Sequence, residues 1–561
     1  MDKTEDFLAR HYNKVLILSI IAMSIMAFFT FSGAKGHYFF PIEYIFGASI
    51  PGQDIYINNS YIFDTSLFFK IIKALHIDLN NDTVAIPWHI ALSAIGTFFL
   101  WRMIRVGMPE LEASGHIVLT LLLAQGAFKF LAVYTSPISL HNTNPSELSN
   151  ALSFVALSFL ISGRVGTVWV ASAFMALMLL TAARGEFLLV PIAALFFVLD
   201  GRGRGWKLAS LVLPAAAVIY LATLIDHPKD PASVAAIITT VFEREGRQVA
   251  LHMHGLIPNL LLAASLGLHF VLLRRLPNTP WRRFATATAV VSASAYLFGL
   301  WYTWVGYLWI PNHTLILLSF PRAMKFHIFA LMATAYALLL RPAAGTPWRH
   351  GIFMVAIQAL RPTPLGAGLS LGLAAMAVVL PTRWIPGKWR IMPWPPAITA
   401  LALCLAVLAT QVPRSMPMSN AAFSSFGEFK RWSRAGALSP AEWDGFRLLA
   451  ADPDTYLLIP LVDGKAGPTL APDDIYPLAG KWPFTNEVGH IYFRPDLRPE
   501  NLLRQDALER VIAAIRNGVP LDPETRGILA QRHVGVVVPA AHAALFGDVT
   551  RHLGPFVLIR F

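Results

Sequence analysis

The sequence predicts a polytopic all-α membrane domain followed by a small α/β domain. Three observations carry that prediction. Of 561 residues, 55% are apolar and only 14% charged, where soluble domains run nearer a quarter charged. Long apolar runs recur through the first three-quarters of the chain and then stop. Beyond residue 412, charged residues and prolines become frequent and no spanning run remains. The first two exclude a single soluble domain and a disordered chain. The lone cysteine, Cys404, excludes a disulfide framework and a Cys-based zinc site.

Taken in order, the apolar runs cover 15–31, 84–103, 116–134, 148–162, 165–183, 187–199, 208–225, 256–273, 284–304, 324–340, 351–360, 365–380 and 395–412. A hydrocarbon core of ~30 Å asks for ~20 residues of helix, and most runs approach that once flanking aromatics and glycines are admitted. Residues 351–360 do not, and Arg361-Pro-Thr-Pro364 separates them from the next run. Segment 351–380 is therefore expected to be a broken helical hairpin, two short spans or a re-entrant pair, giving about 11–13 spans in all. The first run follows a mostly polar stretch with Lys3, Arg10 and Lys14, and Ser32–His37 after it offers no small-residue cleavage site. It is expected to remain as an anchor.

Alternation from an inner N-terminus gives inner segments 1–14, 102–115, 163–164, 200–207, 274–283, 341–350 and 381–394. They carry eighteen Lys/Arg and six Asp/Glu; the outer loops, much longer, carry ten and eleven, and residues 413–561 carry sixteen of each. The net charge of +12 thus belongs to the inner rim. That is the positive-inside pattern, not a nucleic-acid footprint. It predicts a cytoplasmic N-terminus, and it places the domain at 413–561 outside, periplasmic if the membrane is the bacterial inner one. In that domain Tyr456–Ile459, Val534–Val538 and Phe556–Ile559 read as strands and 501–517 as a helix.

The inner loops are short, while two outer ones, 32–83 and 226–255, are long, and long loops on one face are where function concentrates. In the first, Asp54 sits beside Gln53 among Pro51 and Gly52. Asp64 precedes an interfacial helix over 65–76 and is expected to cap it. In the second, Glu243 and Arg247 are four apart, a spacing that suits a helical ion pair as well as a phosphate contact. His252 and His254 are two apart and lack further ligands for zinc. Arg322 and Lys325 stand at an outer membrane end, against the charge trend; they either snorkel to headgroups or hold a phosphate. Lys129, near the outer end of the third run, is a similar case. The turn Arg184-Gly-Glu186 holds a charge pair that reaches sugar hydroxyls or pairs with itself. Asn144-Pro-Ser-Glu147 reads as a capping arrangement. Trp482-Pro-Phe484 and Tyr492-Phe-Arg494 suit sugar stacking or a core. Phosphate-cradling glycine loops, nucleophile elbows and His-Glu-x-x-His patterns are absent from the sequence.

This layout (a first helix, a long outer loop with an acid and an interfacial helix, many spans, an outer C-terminal domain) resembles the GT-C superfamily of multispan glycosyltransferases that use polyprenyl-phosphate sugars. The resemblance covers the whole chain in layout and Gln53-Asp54 in motif. It implies an inverting transfer to a glycan, lipid or protein acceptor on the outer face, with Asp54 as the base. Arg322, Lys325, His252, His254, Arg247 and Glu186 would then serve the phosphate and the sugar. Many members carry two adjacent acids in this loop; here the neighbour is Gln53, so Asp54 acts alone and no metal site is expected, a divalent cation having no support in the residues. The alternatives are a carrier or flippase for lipid-linked saccharides, for which two comparable halves are missing, and a polysaccharide polymerase or ligase.

Overall fold

The computed structural model describes residues 10–30, 66–124 except 80, 145–182, 186–224, 234–235, 238–242, 250–340 except 253–254, 313–314 and 317–319, the single positions 372 and 449, and 456–460, 481–485 and 498–561. The chain divides into two compact units, one of Met1–Phe28 with His89–Gln411, the other of Phe29–Trp88 with Val412–Phe561. Apart from Gly372, the runs at 351–360, 365–380 and 395–412 lie outside the described residues.

The first unit is helical: α1 (Tyr12–Thr30), α3 (Asp82–Gly107, in this unit from His89 onward), α4 (Ala113–Ala124), α5 (Pro145–Ser162), α6 (Val165–Thr181), α7 (Leu189–Asp200), α8 (Arg204–Ser210), α9 (Val212–Leu224), α10 (Leu256–Leu273), α11 (Pro280–Trp301) and α12 (Lys325–Leu340). Among the described residues four helices are long and apolar enough to cross a membrane: Thr83–Gly107, Arg204–Thr223, Leu256–Leu273 and Pro280–Trp309. Five shorter apolar helices accompany them, including Glu147–Ser162, Val165–Thr181 and Lys325–Leu340.

Their unequal lengths shape the unit. At 1.5 Å per residue, the 18, 17 and 16 residues of α5, α6 and α12 span about 27, 25 and 24 Å. Pro280–Trp309, at 30 residues, spans about 45 Å. Thr279 starts α11, its hydroxyl accepting the Arg282 N–H at 3.3 Å, with Pro280 in the first turn where its missing N–H costs nothing. A single π turn, Tyr302–Gly306, carries the helix on to Trp309. There the Tyr302 hydroxyl lies within 3.1 Å of Ile310 O and Asn312 O and accepts the Asn312 N–H, folding the following segment back.

Helix α12 is buried on all sides from Lys325 to Leu339, as a helix whose apolar residues run all round it must be. Trp281 at the start of α11 donates from Nε1 to Thr334 Oγ1 at 3.1 Å, and Phe329 touches the rings of Phe154 and Trp281. At this end of the bundle Gly107 packs on Ile161 and Trp281, and Asp200 bonds Lys207 and Arg283. At the other end of α11, Tyr296 donates to Asn259 O at 3.0 Å. Helices thus meet neighbours at matching ends, as a chain that alternates in direction requires.

The second unit contains α2 (Leu67–Ala74) and a five-stranded sheet. Ser66, not Asp64, caps α2: its hydroxyl accepts the Phe68 N–H at 3.3 Å. The helix begins at Leu67, two residues later than the expected start at Thr65, so the capping position falls on Ser66. Phe68, Phe69 and Ile72 are buried, and Lys70 and Lys73 exposed. The strands are β1 (Tyr456–Leu458), β2 (Trp482–Pro483), β3 (Val534–Pro539), β4 (Val549–Leu553) and β5 (Phe556–Ile559), in the order β2-β1-β3-β5-β4. β2, β1 and β3 are parallel, with Tyr456 opposite both Trp482 and Val534. β5 is antiparallel to β3 and β4, and Val538 faces Val557. Parallel β1 and β3 need a long crossover, which includes α13 (Arg498–Asn517) and α14 (Pro523–Gln531). Ala507, Val511 and Ala514 of α13 close the core over Val534, Val536 and Val538. Phe484 is fully buried in that core, so of the sequence's two options for it, sugar stacking and packing, the structure selects packing.

Candidate functional site

Polar side chains are costly inside an apolar bundle and are kept where they pair or function. In the first unit they gather on one side of α12, away from the Asp200 end. Glu186 opens a short 3₁₀ turn before α7, and Lys325 is the first residue of α12. Both are buried, and Lys325 Nζ donates to Glu186 Oε1. Ser149, in the first turns of α5, donates to the same oxygen at 3.2 Å. The second oxygen, Oε2, is buried and has no hydrogen-bond partner among the described residues. The carboxylate is therefore charge-balanced but only half satisfied.

Two residues before Ser149, Glu147 turns to another helix. Its Oε1 lies 2.5 Å from His89 Nδ1 on α3, and each side chain is 1% exposed. Positions 147 and 149 differ by about 200° around a helix, so one turn of α5 serves both pairs. The two carboxylates also gather where the α5 N-terminus offers positive potential. Ser93 and Thr97 follow His89 at helical spacing, both buried, their hydroxyls without partners among the described residues. Just along α12 from Lys325, His327 Nδ1 lies 3.2 Å from His269 Nδ1 on α10, and His327 Nε2 lies 3.0 Å from Ser265 Oγ. Both rings are fully buried.

The depth of the Glu186–Lys325 pair follows from helix lengths. Lys325 lies nine residues from Thr334, about 14 Å along α12, and Thr334 is level with the first turn of α11. The pair therefore lies about a third of the way along Pro280–Trp309, well short of its far end.

Of the residues expected at the site, Glu186 and Lys325 are brought together. Lys325 is not a free cation: Glu186 takes its charge. His252 lies edge-on to Phe242, ring centroids 5.5 Å apart, and Phe242 in turn meets Tyr307. Burial lowers the His252 pKa, favouring the neutral ring. Asp54, His254 and Arg247 lie outside the described residues, as does Lys129; Arg322 belongs to a single helical turn, Phe320–Ala323. Among the described residues no three His, Cys, Asp or Glu side chains are placed to hold a metal ion.

Sequence reasoning passed over His89, His269 and His327, and gave Glu147 only a helix-capping task. The available signal was an imidazole inside each of three apolar runs, since ionisable groups at such positions are rare.

The chain is similar in part to the arabinosyltransferase EmbB from Mycobacterium smegmatis, a structure determined by cryo-EM: 14% of residues are identical, 76% of this chain and 43% of that chain are covered, and the TM-score is 0.39. This chain thus spans less than half of that neighbour's length. No protein-family model and no curated protein matches the sequence.

Proposed function

We propose that the chain is an integral-membrane glycosyltransferase that takes a sugar from a polyprenyl-phosphate donor and transfers it to a glycan, lipid or protein acceptor on the outer face. The observation that carries this reading is the buried Glu186–Lys325 pair with its half-satisfied carboxylate. A ligand rich in hydroxyls supplies the donor that Glu186 Oε2 lacks. The charge distribution supports the orientation: the eighteen basic and six acidic residues of the predicted inner segments place the Asp200 end inside. The Glu186 end, the long loops and the C-terminal α/β domain then share the outer side. A bacterial inner membrane is the proposed location.

In this reading Asp54 accepts the proton of the acceptor hydroxyl as its oxygen attacks the anomeric carbon. The bond from that carbon to the phosphate oxygen breaks, and the phosphate leaves with the electron pair. A single in-line displacement inverts the configuration. Arg322, Arg247 and His254 answer the charge on the departing phosphate, and neutral His252 donates one hydrogen bond. Lys325 holds Glu186 in place. No metal ion is required by these roles.

The test is a proteoliposome assay with radiolabelled polyprenyl-phosphate sugar. Transfer changes the chemical identity of the label, and Asp54→Asn abolishes it with the fold intact. Full activity in that variant overturns the reading. A carrier for lipid-linked saccharides also uses buried ions within its spans, and the Glu186–Lys325 pair is of that kind. The same assay separates it, because transport moves the label across the bilayer unchanged.

A further inference from the structure

At the opposite end of the first unit, three turns converge on one carboxylate. Asp200, the last residue of α7, accepts from Arg283 Nη1 on α11 at 2.6 Å through Oδ1 and from Lys207 Nζ on α8 through Oδ2. The α5–α6 turn lies against them: a Cβ on Gly163, whose φ is +65°, would stand 3.6 Å from Asp200 Oδ2 and 4.0 Å from Lys207 Nζ. A Cβ on Gly203 in the α7–α8 turn would stand 3.2 Å from Val165 Cγ2. Lys207 and Arg283 bond the acid, and four more cations adjoin these turns in sequence: Arg164 next to Gly163, Arg202 and Arg204 flanking Gly203, and Arg282 next to Arg283. Arg282 donates to Leu276 O at 3.1 Å. Arg164, Arg202 and Arg204 are exposed and have no carboxylate partner among the described residues, and Arg283 Nε is buried without a hydrogen-bond partner.

Apolar and aromatic surface adjoins this patch. Trp206 is 63% exposed and meets Trp169 edge-on at 6.0 Å, and Val165, Leu208 and Val212 are exposed beside it. Exposed tryptophan next to unpaired arginine is the arrangement of a membrane–water interface. A soluble anion would use the arginines and leave the apolar flank bare. A lipid uses both, its phosphate on the arginines and its chains along α6, α8 and α9.

We infer that the Arg164–Arg202–Arg204 cluster around Asp200 is a binding site for the headgroup of an anionic phospholipid. The Asp200–Lys207–Arg283 node fixes the three turns, and the three guanidiniums without a carboxylate attract the monoanionic phosphate diester.

The site is tested on the full chain in detergent by native mass spectrometry, titrating phosphatidylglycerol and, separately, phosphatidylethanolamine. Retained phosphatidylglycerol is expected to exceed retained phosphatidylethanolamine. The triple variant R164Q/R202Q/R204Q is expected to bind phosphatidylglycerol about a hundredfold more weakly, at about a factor of five or more per arginine. The Arg→Lys triple variant keeps most of the binding, which separates charge from fold. R274Q/R275Q, which neutralises two cations of the α10–α11 turn, leaves binding unchanged. An equal loss in R274Q/R275Q overturns the inference, because the attraction would then be that of the whole rim. Equal retention of the two lipids, or displacement of phosphatidylglycerol by millimolar inorganic phosphate, overturns it as well. Binding is read without sugar donor or acceptor, so the result is independent of the transferase reading.

Discussion

Glu186 and Lys325 each look anomalous in sequence, an acid two residues from Arg184 in a short turn and one of two cations at a membrane end; buried together they neutralise one another. Breaking such a pair leaves one charge unanswered in a low-dielectric interior, at a cost of about 3–5 kcal/mol. Lys325→Met is therefore expected to lower the thermal unfolding temperature of the purified protein sharply. The double variant E186Q/K325M is expected to recover most of that stability without recovering transfer, since the carboxylate is gone; recovery of both would remove Glu186 from the site. In the second unit Glu500 accepts from Arg504 Nε at 3.0 Å and from Arg532 through both its oxygens at 2.9 Å. Arg504 also lies over the rings of Tyr456 and Phe484. Burial acts to raise the Glu500 pKa, but the hydrogen bonds and charges of Arg532 and Arg504 outweigh it, so the pKa falls below the usual carboxylate value. A carboxyl group with a lowered folded-state pKa stabilises above its unfolded pKa and loses that contribution as pH falls through the folded one. Protease resistance of the C-terminal α/β domain is expected to drop below about pH 4. Glu500→Gln should be less resistant than the parent at pH 7 and lose less on acidification.

At the scale of elements, α11 and the turn after it set the register of α12. Gly299 lets Phe320 close on the helix: a Cβ there would stand 2.7 Å from Phe320 Cγ and 2.9 Å from its Cβ. Phe320 opens the turn that leads into Lys325, and it also meets Phe187 beside Glu186. Gly299→Ala is therefore expected to cost about 1–3 kcal/mol in stability and to impair transfer, both read on the purified protein. Gly267, with open space around its Cβ position, should accept Ala with little change in either. Element boundaries were legible where the apolar run sets them. α10 matches its apolar run, whereas α11 begins four residues before its run, at a Thr279-Pro280 cap that the apolar run does not reveal. β4 was missed because Val549–Leu553 includes Arg551 and His552 and carries no apolar alternation. β2 is two residues long and exists through pairing with β1.

At the scale of the whole molecule, the distribution of charge along the sequence predicts one path through a bilayer. In a Cys404→Ala background, single cysteines at Arg204 and Arg275 are expected to react with impermeant maleimide only from the cytoplasmic side. Cysteines at Trp309 and His533 should react only from the outside; labelling of 204 and 309 from the same side would reject the alternation. Composition and run lengths determined by themselves that the chain is mostly helical, with apolar helices long enough to cross a membrane, and that its strands fall after residue 412, because apolar length is additive along a sequence. Which polar residues meet was decided only by tertiary structure. Glu186 finds Lys325 across 139 positions, His89 finds Glu147, and His269 finds His327, because helices of unequal length pack side by side and bring distant turns to one depth. The energy of a buried charge depends on that neighbour, and the neighbour is a property of the packing.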